Sequence, residues 1–131
     1  MAFDDLGYVV CGTFYDVALI SKVSRIFVKL PPNARAALLR TMEIFANDGT
    51  KNLPITQFRP EDRIPIGDAR GTRVLVCAFK AWQVRLYGGV VTIDRKPTFI
   101  GSEIDDSKKQ DKADRGCLVR AARNLRPYSG T

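Results

Sequence analysis

The chain has no histidine among its 131 residues. That absence removes the side chain that titrates near neutrality, the usual zinc ligand and every Ser–His or Cys–His nucleophile pair. Cysteine is scarce: Cys11, Cys77 and Cys117 are odd in number, widely spaced and form no CxxC pair. This argues against a zinc site and for three small, reduced, buried thiols. No apolar run approaches the ~18 residues that cross a bilayer. The opening Met1-Ala2-Phe3-Asp4-Asp5 is acidic where a signal peptide would be basic, so a cytoplasmic location without membrane contact is expected. GxxxxGK[ST], GxGxxG, HExxH and GxSxG are all missing. Asp105-Asp106 stand next to Lys108-Lys109 and read as a self-compensated loop, not a magnesium site. Neither metal nor cofactor is expected.

What is present is positive charge. The composition is that of a globular domain, 45% hydrophobic and 27% charged, with a net charge of +7. Residues 1–50 carry five basic and five acidic groups, and residues 51–131 carry sixteen and nine. The whole excess therefore lies in the second part, which should hold the surface that faces an anionic partner.

Hydrophobic spacing predicts one α+β domain over 1–131. Residues 8–15 are β-branched and aromatic and predict a strand. Asp16 would cap a helix over 17–30 whose stripe is Ile20, Val23, Phe27 and Leu30, with Lys22, Arg25 and Lys29 on the opposite face. Pro31-Pro32 ends that helix. Asn33 would cap a second, striped by Ala34, Leu38, Met42 and Phe45 and stopped by Gly49, so that the two form an antiparallel hairpin. Residues 50–71, rich in Pro and Gly, read as loop. Strands follow over 72–79, 83–93 (with a bulge or close backbone approach at Gly88-Gly89) and 98–104, with a turn at 94–97. A last helix over 112–126 buries Leu118, Ala122 and Leu125. The expected architecture is a helical hairpin packed on a mostly antiparallel four-stranded sheet, with a short C-terminal helix.

The candidate functional groups are cations on strands and at strand ends: Arg73, Lys80, Arg85, Lys108 and Lys109. Lys112, Arg115, Arg120 and Arg123 extend the basic surface as further nucleic-acid contacts. Phe79, Trp82, Tyr87 and Phe99 are interleaved with them. RNA binding uses both classes, cations for phosphates and flat rings for unstacked bases, although Trp82 and Phe99 read more naturally as core.

The segment LPPNARAALLRTMEIFANDG (30–49) resembles the leucine–proline-initiated helical hairpin of the RelE/ParE/HigB superfamily of type II toxins. WQVRLYGGVV (82–91) is similar to that family's third strand, which carries an Arg followed by an aromatic. TFIGSEIDDSKKQDKAD (98–114) is similar to its last strand, running into a basic pair before the C-terminal helix. The resemblance implies a toxin that cleaves mRNA on the ribosome by attack of a 2′-hydroxyl on the adjacent phosphate without a metal. Cations would stabilise the phosphorane. It makes Arg85 the third-strand arginine, Lys108 or Lys109 the basic position after the last strand, and Lys80 a second-strand lysine. An alternative register gives Arg73 the role of Arg85. It also implies a cognate antitoxin, acidic and covering the basic face, and a higher-order toxin–antitoxin complex. Where many nuclease members carry a late Tyr or His, this chain has Arg115-Gly116. The same fold without nuclease activity would fit a toxin that poisons a replication or topoisomerase protein of the gyrase type.

Overall fold

The computed structural model describes residues 5–107 and 114–129. Six strands and three helices form an α+β fold. The strands are β1 (Leu6–Cys11), β2 (Asp16–Ile20), β3 (Phe58–Pro65), β4 (Arg73–Ala81), β5 (Val84–Ile93) and β6 (Lys96–Asp105). The helices are α1 (Ser21–Phe27), α2 (Pro32–Asp48) and α3 (Arg115–Leu125), the last followed by a 3-10 turn at Arg126–Tyr128. The strands make one mixed sheet in the order β1-β2-β6-β5-β4-β3. All pairings are antiparallel except β2 with β6.

The sheet therefore has six strands, not four, and both extra strands have a physical cause. Val17, Ala18 and Leu19 are consecutive and all buried. A surface helix would expose part of such a run, whereas a strand covered on both faces buries it whole. The chain is thus extended to Ile20, and only Ser21–Phe27 is helical. Asp16 caps nothing; it pairs with Lys96 at 2.7 Å. The other addition, β3, falls inside the stretch read as loop. It contains Pro60 and Pro65, and it is an edge strand, the one place in a sheet where proline removes no ladder bond.

Nor do the helices form a hairpin. The seven-residue α1 lies on β2 and β6, while α2 crosses to β4 and β1. Pro31-Pro32 redirects the chain between them, and the Arg35 Nη1 donates to the Val28 carbonyl at 2.7 Å across the link. Helix α2 starts at Pro32 with Pro31 before it, so Asn33 falls in the first turn instead of capping; Gly49, with φ of 74°, ends it. Its stripe of Ala34, Leu38, Met42 and Phe45 is buried as predicted. The other face of the sheet is covered by α3, through Leu118, Ala121 and Ala122 against Ile64, Val76, Ala78 and Tyr87.

The hairpins hold the register of the central strands. Asp94 and Arg95, at φ of 50° and 70°, form the two-residue turn between β5 and β6, the left-handed pair that a type I′ turn needs. Gly88 pairs with Gly101 and Tyr87 with Glu103, so the register slips between Tyr87 and Gly88 and Ser102 of β6 is the extra, bulged residue. Of the two readings of Gly88-Gly89, the close backbone approach holds at Gly88, where a Cβ would meet the Ile100 carbonyl oxygen, while the bulged residue itself is on the partner strand.

Two of the three cysteines are buried, Cys77 and Cys117, while Cys11 is exposed on β1. Burial pushes the Cys77 thiol up to about 11 and raises that of Cys117 as well. Thiolates are the reactive form. A thiol reagent at pH 8 should therefore titrate one cysteine quickly in the native protein and three after denaturation. Three fast thiols in native protein would contradict this packing.

Candidate functional site

Alternation along β4 and β5 decides which side chains share a face. Phe79, Ala81, Val84 and Leu86 point into the core beneath α2. Lys80 and Arg85 therefore point to the opposite face, and they are direct cross-strand partners. Arg59 of β3 stands opposite Ala78 and joins them on that face. The three cations, with Ile55 and Thr56, line one recess of about 230 Å³. Lys80 is 9% exposed and Arg85 8%. Cations so far withdrawn from water are costly unless compensated, and they act on an anion through a lower effective dielectric than surface charges do.

Both guanidinium groups are oriented by hydrogen bonds. The Arg85 Nη1 donates to the carbonyls of Trp82 at 2.6 Å and Val84 at 3.0 Å, turning the guanidinium toward the β4–β5 hairpin. Arg59 forks onto Glu61, Nε to Oε1 at 2.9 Å and Nη2 to Oε2 at 3.2 Å. Glu61 is the extra residue of a bulge between Pro60 and Asp62, which aims it at its neighbour. The Lys80 backbone N–H donates to the Gln57 carbonyl at 2.8 Å, fixing the loop that carries Ile55 and Thr56 against β4. Asp105 of β6 faces Arg85 in register.

One pleat further along β5 lies Tyr87, opposite Glu103. Its hydroxyl is buried and has no hydrogen-bond partner among the described residues. Burial raises its pKa above the ordinary tyrosine value, so near pH 7 it is a phenol and not a base. Glu103, also buried, accepts from the Arg120 Nε at 2.6 Å and lies 3.9 Å from the Lys22 Nζ.

A second recess, also about 230 Å³, opens between α2 and the end of β4. Arg40, Thr41 and Trp82 line it, and it shares Thr56 and Lys80 with the first. Trp82 is the first residue of the two-residue β4–β5 turn, with φ of 51° and 66% exposure. It is not the core residue its hydrophobicity suggested, whereas Phe79, Tyr87 and Phe99 are buried.

Of the sequence-predicted residues, Lys80 and Arg85 come together and Arg73 does not. It sits at the other end of β4, opposite Pro65, with its Nη1 3.3 Å from the Arg63 carbonyl. The remaining arginines belong to α3. Arg115 pairs with Asp62 at 2.7 Å and holds that carboxyl below its usual range, Arg120 pairs with Glu103, and Arg123 is exposed in the last turn. Lys108, Lys109 and Lys112 lie outside the described residues. Arg59 was missed because Pro60 beside it hides the strand; the one available signal was Phe58-Arg59, an apolar and a charged residue in alternation.

Chemically, the recess can hold an anionic group among two guanidinium groups and an ammonium, beside an exposed indole. Comparison with family models, curated proteins and solved structures finds no match to this chain.

Proposed function

We propose that the chain is the toxin of a type II toxin–antitoxin pair: a cytoplasmic, RelE-like, ribosome-dependent mRNA endoribonuclease that arrests growth by stopping translation. The observation that carries the reading is the convergence of Arg59, Lys80 and Arg85 on one recess, with Lys80 and Arg85 almost wholly withdrawn from solvent. The order of elements supports the finer likeness to the RelE fold only from α1 onward, two helices, an antiparallel run of strands and a final helix; two strands instead of one precede them.

In the proposed reaction the 2′-oxygen bonds to phosphorus and the bond to the 5′-oxygen breaks. The 2′-hydroxyl gives its proton to water, and the leaving oxygen takes one from water. The recess contributes electrostatic stabilisation of the phosphorane, the part of such a reaction that fixed cations can supply without imidazole. An acidic antitoxin would cover the same face and silence it by occupancy, and the mRNA would be presented by the ribosome.

Induced expression followed by primer extension on a reporter mRNA tests this. Discrete cleavages within the translated region are expected with the native chain. Removing one preorganised charge donor typically costs about 10²–10³ in rate, so Lys80→Ala or Arg85→Ala should abolish detectable cuts while the protein remains folded. Growth arrest with intact transcripts would overturn the nuclease reading. That outcome would be the signature of a same-fold toxin acting by binding a replication or topoisomerase protein, the second reading that a chain without histidine leaves open.

A further inference from the structure

We infer that Trp82 is a stacking platform for an unpaired RNA base next to the phosphate held by Arg59, Lys80 and Arg85, an inference that rests on the RNA reading above. The first observation is the backbone. A bulky L-residue at φ of 51° is an outlier, and the first central position of a two-residue hairpin turn ordinarily goes to Gly or Asn. Strain of this sort persists where surrounding structure enforces it and concentrates at binding sites. Here the turn is clamped from below, because the Trp82 carbonyl accepts from the Arg85 guanidinium.

The second observation is the surface. Trp82 and Ile55 are the most exposed large hydrophobic residues described, 66% each. They stand on the rims of the two recesses that meet at Lys80 and Thr56. An indole kept in water gains nothing for the fold. Beside Arg40, Lys80 and Arg85 it forms the combination that single-stranded nucleic acid uses: cations for the backbone and a flat ring for any base. The arginine on Trp82's own carbonyl links the two parts, so a base on the indole and its phosphate in the recess would be read by one turn.

Trp82 is the chain's single tryptophan, so its fluorescence reports on this site alone. The whole protein is titrated with 2′-O-methyl oligoadenylate of ten residues, which cannot be cleaved by 2′-oxygen attack, and with an abasic oligomer of equal charge. Saturable quenching is expected with the first, and at least tenfold weaker binding with the second. Trp82→Ala should lose tenfold or more in affinity, measured by fluorescence anisotropy of labelled oligomer, and Trp82→Phe should retain most of it. Trp82→Gly should lose affinity equally while raising Tm, which separates loss of the ring from loss of the fold.

Equal affinity for the base-bearing and abasic oligomers, unchanged binding by Trp82→Ala, or no binding of either oligomer would overturn the inference. The two readings fail separately. Quenching with intact cellular transcripts removes the nuclease and leaves the platform. Cleavage with unchanged Trp82→Ala binding removes the platform alone.

Discussion

Gly88→Ala should yield no folded protein. A Cβ at position 88 would overlap the carbonyl oxygen of Ile100 and come within 2.8 Å of the Phe99 ring. The obstructing oxygen is backbone, so no rotamer change relieves it. Moving it means moving β6, which is bonded to β5 on one side and β2 on the other. The expected loss exceeds about 5 kcal/mol, which rivals the whole stability of a small domain. Gly71→Ala is the control: φ is 68° there but nothing lies within 4 Å, so the cost is conformational only, about 1 kcal/mol. Far-UV circular dichroism and thermal melts of the two variants distinguish them. A Gly88→Ala protein melting within a few degrees of the parent would show that the β5–β6 approach is wrong.

Phe45→Ala carries the next largest expected effect, a loss of about 3–5 kcal/mol. The Phe45 ring lies 4.5 Å from Tyr15, 5.1 Å from Phe58, 5.5 Å from Phe79 and 6.1 Å from Phe99, centroid to centroid. It is the contact through which α2 holds β3, β4 and β6 together. Removing it creates a cavity bordered by four rings that cannot all shift inward, and edge-on aromatic pairs are lost besides. Phe45→Leu, which keeps most of the volume, should lose less than half as much. Urea unfolding midpoints measure both, and equal losses for Ala and Leu would place the stabilisation in ring geometry instead of in filled volume.

How far these features could be read from the chain depends on whether local pattern or distant contact fixes them. Helix α2 is written in its own spacing, and its Gly49 stop is local. Strands β4, β5 and β6 follow from apolar runs between turn residues. Strand β2 does not, because Ile20, Val23 and Phe27 do share a helical stripe; burial of Val17 to Leu19 between β1 and β6 ends that helix four residues short of its predicted start. Strand β3 is hidden by its prolines, which are tolerated only because the strand is at an edge. The site divides in the same way. Lys80 and Arg85 could be named from strand positions, but their pairing depends on a two-residue turn made of Trp82 and Gln83, a composition that signals no turn. Arg59 required β3, and the exposure of Trp82 required its left-handed backbone.

The parallel pairing of β2 with β6 has a kinetic consequence. Asp16 meets Thr98, and Leu19 meets Gly101, across more than eighty residues of chain. During synthesis at about 5–20 residues per second, Val17, Ala18 and Leu19 wait several seconds for the strand that will cover them, even though α2 is already complete. The N-terminal hairpin of β1 and β2 has no other partner strand in the sheet. Closure is therefore a late event with high contact order, and the nascent chain is exposed to chaperones and proteases until β6 has left the ribosome.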